Sequence, residues 1–268
     1  MSELRPGMPR KASLPADAPL ERLIHEQSSE VLVTVAADFR LTEDLALAML
    51  NRRDLPREAL EELNKNGAVI KHRKVRLAIV MHPRTPRHIS IPAIRHLYPL
   101  ELVRVAQFPA VPADLKRVAE ETVVGRLKNI SSGERYGLAK QSPGRVAAAL
   151  LFDAEDRIMR AALANPHITE ALLVKALRSE QATETLVAAV CQDLKWSRRN
   201  DVKTALLANE KTSFAKVVQF ARELPIRALK DILYGARLSN TVRSYLLSVV
   251  RQRTERQKQS QDPSGLNP

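Results

Sequence analysis

Apolar residues recur along most of this chain at the three-and-four-residue spacing of a helix face. Val75, Ile79 and Val80 share one face with Ala78 beside it. Leu172, Leu173, Ala176 and Leu177 form a second stripe, and Leu229, Ile232 and Leu233 a third. Polar or proline-bearing breaks separate these stretches at His82-Pro83-Arg84-Thr85-Pro86, Phe108-Pro109-Ala110-Val111-Pro112 and Asn165-Pro166-His167-Ile168-Thr169. Weaker breaks fall at 38–42, 142–144, 209–213 and 235–239. A residue before proline is pushed out of the helical region, so the preceding helix stops there. Thr, Ser or Asp then caps the next helix, and proline is tolerated in its first turn. Thr169-Glu170, Thr85-Pro86 and Asp54-Leu55-Pro56 read as such starts. The breaks predict helices of about ten to fourteen residues, each too short to stand alone and so stacked on its neighbours.

The pattern repeats on a larger scale. Residues 31–127 slide onto 158–254 at a constant offset of 127 without gaps. Leu41-Thr42-Glu43 then meets Ile168-Thr169-Glu170, and Leu45 and Leu50 meet Leu172 and Leu177. Val75, Ala78 and Thr85 meet Val202, Ala205 and Thr212; Leu97, Leu102 and Val123 meet Leu224, Leu229 and Val250. The expected organisation is a disordered N-terminus (1–17), a first helical block (18–127), a connecting helix pair (128–157), a second block (158–254) and a disordered tail (255–268). Pro19–Ala37 reads as one N-terminal helix capped near Asp17. Ser131 to Glu134 reads as a helix start, with Val146, Leu150 and Leu151 as the apolar stripe of the following helix.

The kernel Val75-Arg76-x-Ala78…His82-Pro83-x-Thr85-Pro86 is echoed by Val202-Lys203-x-Ala205…Asn209-x-x-Thr212 and by Arg157 to Pro166. It resembles HEAT-like repeats, especially the leucine-rich-repeat variant. The resemblance covers most of residues 31–254 and implies an all-α, α-solenoid fold of short antiparallel helix pairs; such a kernel specifies a fold and not an activity. Proline is missing from the break at Asn209-Glu210 and at Gly235-Ala236, and the cysteine-rich segment found beside some variant repeats is absent.

Composition narrows the function. Aromatics are only 4% of the chain and Gly numbers 8 in 268, which argues against aromatic-strand architectures. No apolar run approaches the roughly 18–20 residues of a membrane span, so no membrane association is expected. Cys191 stands alone, which suits a reducing compartment and points to the cytoplasm. The net charge of +13 is concentrated in the folded blocks, with +4 over residues 75–127 and +8 over 158–254. That excess is compatible with an acidic partner, either nucleic acid, an anionic protein or a lipid surface, and equally with an ordinary basic soluble protein.

The chemistry-bearing residues point to binding rather than catalysis. Lys195, Trp196, Arg198, Arg199 and Lys203 cluster in the second block, and Lys71, Arg73, Lys74 and Arg76 occupy the same place in the first. Both clusters lie before or in the first turn of the Val75 and Val202 helices and would suit phosphate contacts. Arg84 and Arg87, with His88 and Arg95, are expected along one helix extending the first patch. Trp196 has a second reading, as a core residue at the position held by Val69 in the first block. The six His show no paired i,i+4 spacing, and no phosphate-binding glycine loop, Gly-x-Ser-x-Gly or zincin motif occurs, so no metal or cofactor is expected. The expectation is a non-enzymatic scaffold for a protein partner, with non-specific nucleic-acid binding as the alternative and self-association of the apolar faces as a third reading; the sequence leaves the oligomeric state open. A remoter reading, by resemblance to HEAT-like DNA glycosylases, would use Trp196 and Asp201.

Overall fold

Threonine and proline set the helix starts. Thr42, Thr169 and Thr183 each accept the backbone N–H three residues on, from Leu45, Leu172 and Leu186. Pro86 and Pro112 occupy the position just ahead of the first helical residue. The structure, a computed structural model, describes residues 19–235 and 238–261. Among these residues every regular element is helical, and the chain divides into two compact units between Lys128 and Asn129.

The first unit holds α1 (Leu20–Leu23), α2 (Ser29–Ala37), α3 (Glu43–Leu50), α4 (Arg57–Lys65), α5 (Gly67–Ile70), α6 (Arg73–Met81), α7 (Arg87–Ile94), α8 (Pro99–Gln107) and α9 (Ala113–Arg126), closed by a 3₁₀ turn at Leu127–Asn129. Here α6 packs on both α3 and α8, while α2 packs on α4 and α7 on α9. Helix α6 thus packs between α3 and α8. Leu32, Met49, Leu55, Leu60, Leu63, Ile79, Ile94 and Leu102 are buried in the core of this unit. Each such side chain stabilises the fold by on the order of 1.5–3 kcal/mol.

The second unit holds α10 (Ser132–Gln141), α11 (Gly144–Leu150), α12 (Asp156–Leu163), α13 (Glu170–Leu177), α14 (Glu184–Gln192), α15 (Asn200–Leu207), α16 (Phe214–Glu223), α17 (Ile226–Gly235) and α18 (Asn240–Gln261). Several of these pack on the next helix but one: α10 on α12, α11 on α13, α12 on α14, α13 on α15, α15 on α17 and α16 on α18. Ser131 and Glu134 form a reciprocal capping box that opens α10. Helices α10 and α11 occupy the stretch read as a connecting pair, and they pack against α12 and α13 within this unit.

Side chains from the turns satisfy the open carbonyls at helix ends. Asn66 Nδ2 donates to the carbonyls of Ala36 and Asp38, and Asn165 Nδ2 to those of Ala139 and Ser142. Several local arrangements recur 127 residues apart. Asp38 and Asn165 each accept the N–H two residues on, from Arg40 and His167. Thr85 and Thr212 each donate at 2.6 Å to a carbonyl six residues back, Ile79 and Leu206. Arg126 donates to the carbonyls of Leu97 and Arg95, as Arg253 does to those of Leu224 and Arg222. The bounds of α3 and α13, and of α4 and α14, also coincide at that spacing.

Four expectations need correction. The single N-terminal helix is two, α1 and α2, because Arg52 donates to the carbonyls of Ile24 and Glu26 and holds the chain out of helix there. Asp17 and residues 1–17 lie outside the described residues. Residues 255–261, read as tail, continue α18: the run Thr254 to Gln261 contains no Gly or Pro to stop it. Most helices have seven to ten residues, shorter than the spacing of breaks suggested, because the turns take up more of the chain. Arg84 lies in the turn before α7 rather than on the helix with Arg87 and His88.

Candidate functional site

A concavity lies in the first unit, lined by α3, α6 and α8. Its volume is about 960 Å³. Leu47 and Leu50 of α3, with Leu77, Ala78 and Met81 of α6, supply an apolar floor. Leu100 of α8 and Phe108 just past it form a rim; they are 44% and 40% exposed, unusual for large apolar side chains that also line a cavity. Leu100, Arg104 and Phe108 follow one another at four-residue intervals, which places them along one face of α8 and its continuation.

Five cations and one carboxylate line the same groove: Arg52, Arg53, Arg73, Lys74, Arg104 and Glu101. Two of the cations are committed. Arg52 donates to Asp54 and to the two carbonyls before α2, and the Asp54 carboxylate holds its guanidinium pKa above the ordinary value. Arg73 Nε donates to Glu101 Oε1 at 2.5 Å, while Glu101 Oε2 accepts the backbone N–H of Tyr98 at 2.8 Å. The Arg73 guanidinium also lies 3.8 Å from the centre of the Tyr98 ring. Glu101, buried at the start of α8, therefore caps that helix and clamps Arg73 at once. The side chains of Arg53, Lys74 and Arg104 are exposed and make no hydrogen bond or ion pair among the described residues.

His82 sits at the groove's edge and is buried. Its Nε2–H donates to the Arg52 carbonyl at 2.8 Å and its Nδ1 accepts the Arg84 N–H at 3.2 Å, so the neutral tautomer is the one both partners require. Burial pushes its pKa below the ordinary 6.5, with the bond to Arg52 opposing and Arg84 assisting.

The residues singled out from sequence are thus separated. Arg73 and Lys74 line the groove; Lys71 is exposed in the turn before α6, and Arg76 is half-buried elsewhere on α6. Arg84 donates to the Asp54 carbonyl and Arg87 pairs with Asp114 at 2.8 Å. In the second unit Lys203 is buried against Glu223 at 2.6 Å, and its hydrogen bond holds that carboxyl below the usual range. Arg199 pairs with Glu170. Trp196 is 2% exposed and donates its indole N–H to the Leu163 carbonyl at 3.3 Å, so it presents no open ring face. Lys195 and Arg198 remain exposed. Arg53, Arg104, Leu100 and Phe108 were not singled out. The four-residue spacing of the last three was the available signal.

A smaller concavity of about 540 Å³ in the second unit is lined by Tyr136, Lys140, Arg157 and Arg160. Lys140 and Arg157 lie 4.7 and 4.1 Å from the centre of the Tyr136 ring. Cys191 is buried, and burial raises its thiol pKa. Among the described residues no three of His, Cys, Asp and Glu are grouped to hold a metal ion, and no helix is long and apolar enough to cross a membrane. No family model, curated protein or solved structure matches the chain.

Proposed function

We propose that this chain is a non-enzymatic helical-repeat scaffold of the HEAT-like kind, built from two copies of one block, that holds a protein partner in the α3–α6–α8 groove. The observation that carries the reading is the groove itself: an apolar floor with exposed Leu100 and Phe108 on its rim and unpaired cations around it. That mixture of an apolar centre and a polar edge is the make-up of a protein-recognition surface. The groove lining contains no Ser, Thr, Cys or Tyr, both ring nitrogens of its His82 are engaged by the Arg52 carbonyl and the Arg84 N–H, and its one carboxylate is held by Arg73 and the Tyr98 N–H. The shared helix bounds and turn contacts at a spacing of 127 support the two-copy reading. The lone, buried Cys191 supports a reducing, cytoplasmic setting.

A photo-crosslinking side chain placed at Met81 in the groove, and separately at exposed Glu58 on α4, tests the proposal in the native host. The expected result is a protein adduct from position 81 that survives nuclease treatment and is absent from position 58. Equal adducts from both positions would reject the groove. A crosslink that disappears with nuclease, joined by a gel shift at low ionic strength, would replace protein with nucleic acid as the partner.

A further inference from the structure

We infer that the groove takes an amphipathic helix carrying carboxylates beside its apolar face; the inference rests on the protein-binding reading above. Arg53 follows α3, Lys74 opens α6 and Arg104 lies midway along α8, so each of these helices contributes one unpaired cation around the apolar floor. The only carboxylate in the lining is already held on both oxygens. A guest with an apolar stripe flanked by Asp or Glu meets both features, and lysine flanks would meet like charge.

The charge is local to this groove. One repeat spacing of 127 residues further on, Arg53, Lys74 and Arg104 are replaced by Glu180, Asp201 and Asp231, all three exposed. Yet residues 158–254 carry the larger net charge, +8 against +5 for the corresponding residues 31–127. General basicity would have put cations at both sets of positions. The opposite signs mean that the three cations belong to the first unit's groove and not to the repeat pattern.

A helical guest follows from the walls. They are helices whose backbone donors are internally bonded, so no free edge is available for an added strand, and helix-in-groove recognition is the remaining common mode. Three helices, α6 packed between α3 and α8 with axes about 8–10 Å apart, span roughly 20 Å. That length accommodates about 13 residues of guest helix at ~1.5 Å per residue. A nucleic acid is disfavoured by the floor: Leu47, Leu77 and Met81 offer nothing to phosphate, and the Tyr98 ring, a stacking platform otherwise, is covered by Arg73.

The test uses the full chain and a display library of helical peptides with a fixed Leu stripe and flanks randomised among Glu, Lys and Ser. Selection should enrich Glu at the flanks, and binding of the selected peptide should weaken by about tenfold or more as salt rises. The triple variant Arg53→Glu, Lys74→Asp, Arg104→Asp, which installs the charges found 127 residues on, should reverse the enrichment to Lys while circular dichroism stays unchanged. Lys enrichment by the natural chain, or unchanged Glu enrichment by the variant, overturns the acidic-helix inference and leaves the protein-binding reading standing. Selection of no peptide at all overturns both. Displacement of the selected peptide by single-stranded DNA, or a dimer in light scattering that the triple variant dissolves, reassigns the groove and overturns the inference as well.

Discussion

His82 and Asn209, 127 residues apart, each bond a carbonyl about thirty residues back and accept the N–H two residues on, although only one of them can titrate. His82 donates to the Arg52 carbonyl and accepts the Arg84 N–H; Asn209 donates to the Leu177 carbonyl at 2.7 Å and accepts the Lys211 N–H at 2.9 Å. An imidazolium at position 82 would have no lone pair for Arg84, and burial disfavours its charge.

A pH dependence follows. Because the folded pKa of His82 lies below the ordinary 6.5, the folded state binds fewer protons than the unfolded one, and stability rises with pH in that window. The contribution is intact above about 6.5 and is lost as the pH falls from there through the folded value. His82→Asn retains a donor and an acceptor without a titrating group. Urea unfolding at about pH 7.5 and about pH 5.5 should show a smaller loss of stability on acidification for the variant than for the natural chain. Equal losses would mean that His82 is not the group responsible.

Gly144, the first residue of α11, has no room for a side chain. A Cβ there would sit 2.3 Å from the His167 carbonyl oxygen and 2.9 Å from Leu172 Cδ1. Backbone cannot yield as a flexible side chain can, so Gly144→Ala should cost about 1–3 kcal/mol by overpacking. Gly137, inside α10 with nothing within 4 Å of such a Cβ, is the control. Gly137→Ala should stabilise by about 0.5–1 kcal/mol through helix propensity. Denaturation midpoints moving in opposite directions would bear this out.

Arg126 and Arg253 each tie down the carbonyls that precede α8 and α17. Arg126 reaches Leu97 and Arg95 at 2.7 and 2.6 Å; Arg253 reaches Leu224 at 2.7 Å and also the Arg222 carbonyl at 2.5 Å. Alanine at either position should cost about 1–3 kcal/mol, since carbonyls bonded to a guanidinium would be left open. Lysine should recover only part of the loss, having a single point charge in place of a fork. Hydrogen exchange should report each loss in its own unit.

Trp196 is the chain's single tryptophan, so its fluorescence reads one site. At 2% exposure its emission should be blue-shifted and poorly quenched by acrylamide. Trp196→Ala should destabilise by about 3–5 kcal/mol. Exposed Lys195 and Arg198, changed to alanine, should stay within about 0.5 kcal/mol. Emission typical of a solvent-exposed indole would contradict the buried placement.

The helical class was readable because it depends on local signals. Thr42 and Thr169 begin helices through their own hydroxyls, and proline ends them through steric contact with the preceding residue. The groove was only half readable. Arg73 and Lys74 stood out as a charge run, but Arg53 and Arg104 are isolated in sequence and reach the site only because α6 packs on both α3 and α8. The basic cluster around Trp196 read like its counterpart at residues 71–76. Packing separates them: Lys203 and Arg199 are taken up by Glu223 and Glu170, and the indole fills the core.

By itself the sequence determined the helical class and helix starts such as those at Thr42 and Thr169, since capping, proline sterics and apolar periodicity act over a few residues. Only the tertiary structure decided which cations stay free. Whether a guanidinium faces solvent, a carboxylate or a helix end depends on residues some thirty positions away, as with Arg73 and Glu101 or Arg52 and Ile24, and that distance is closed by packing alone.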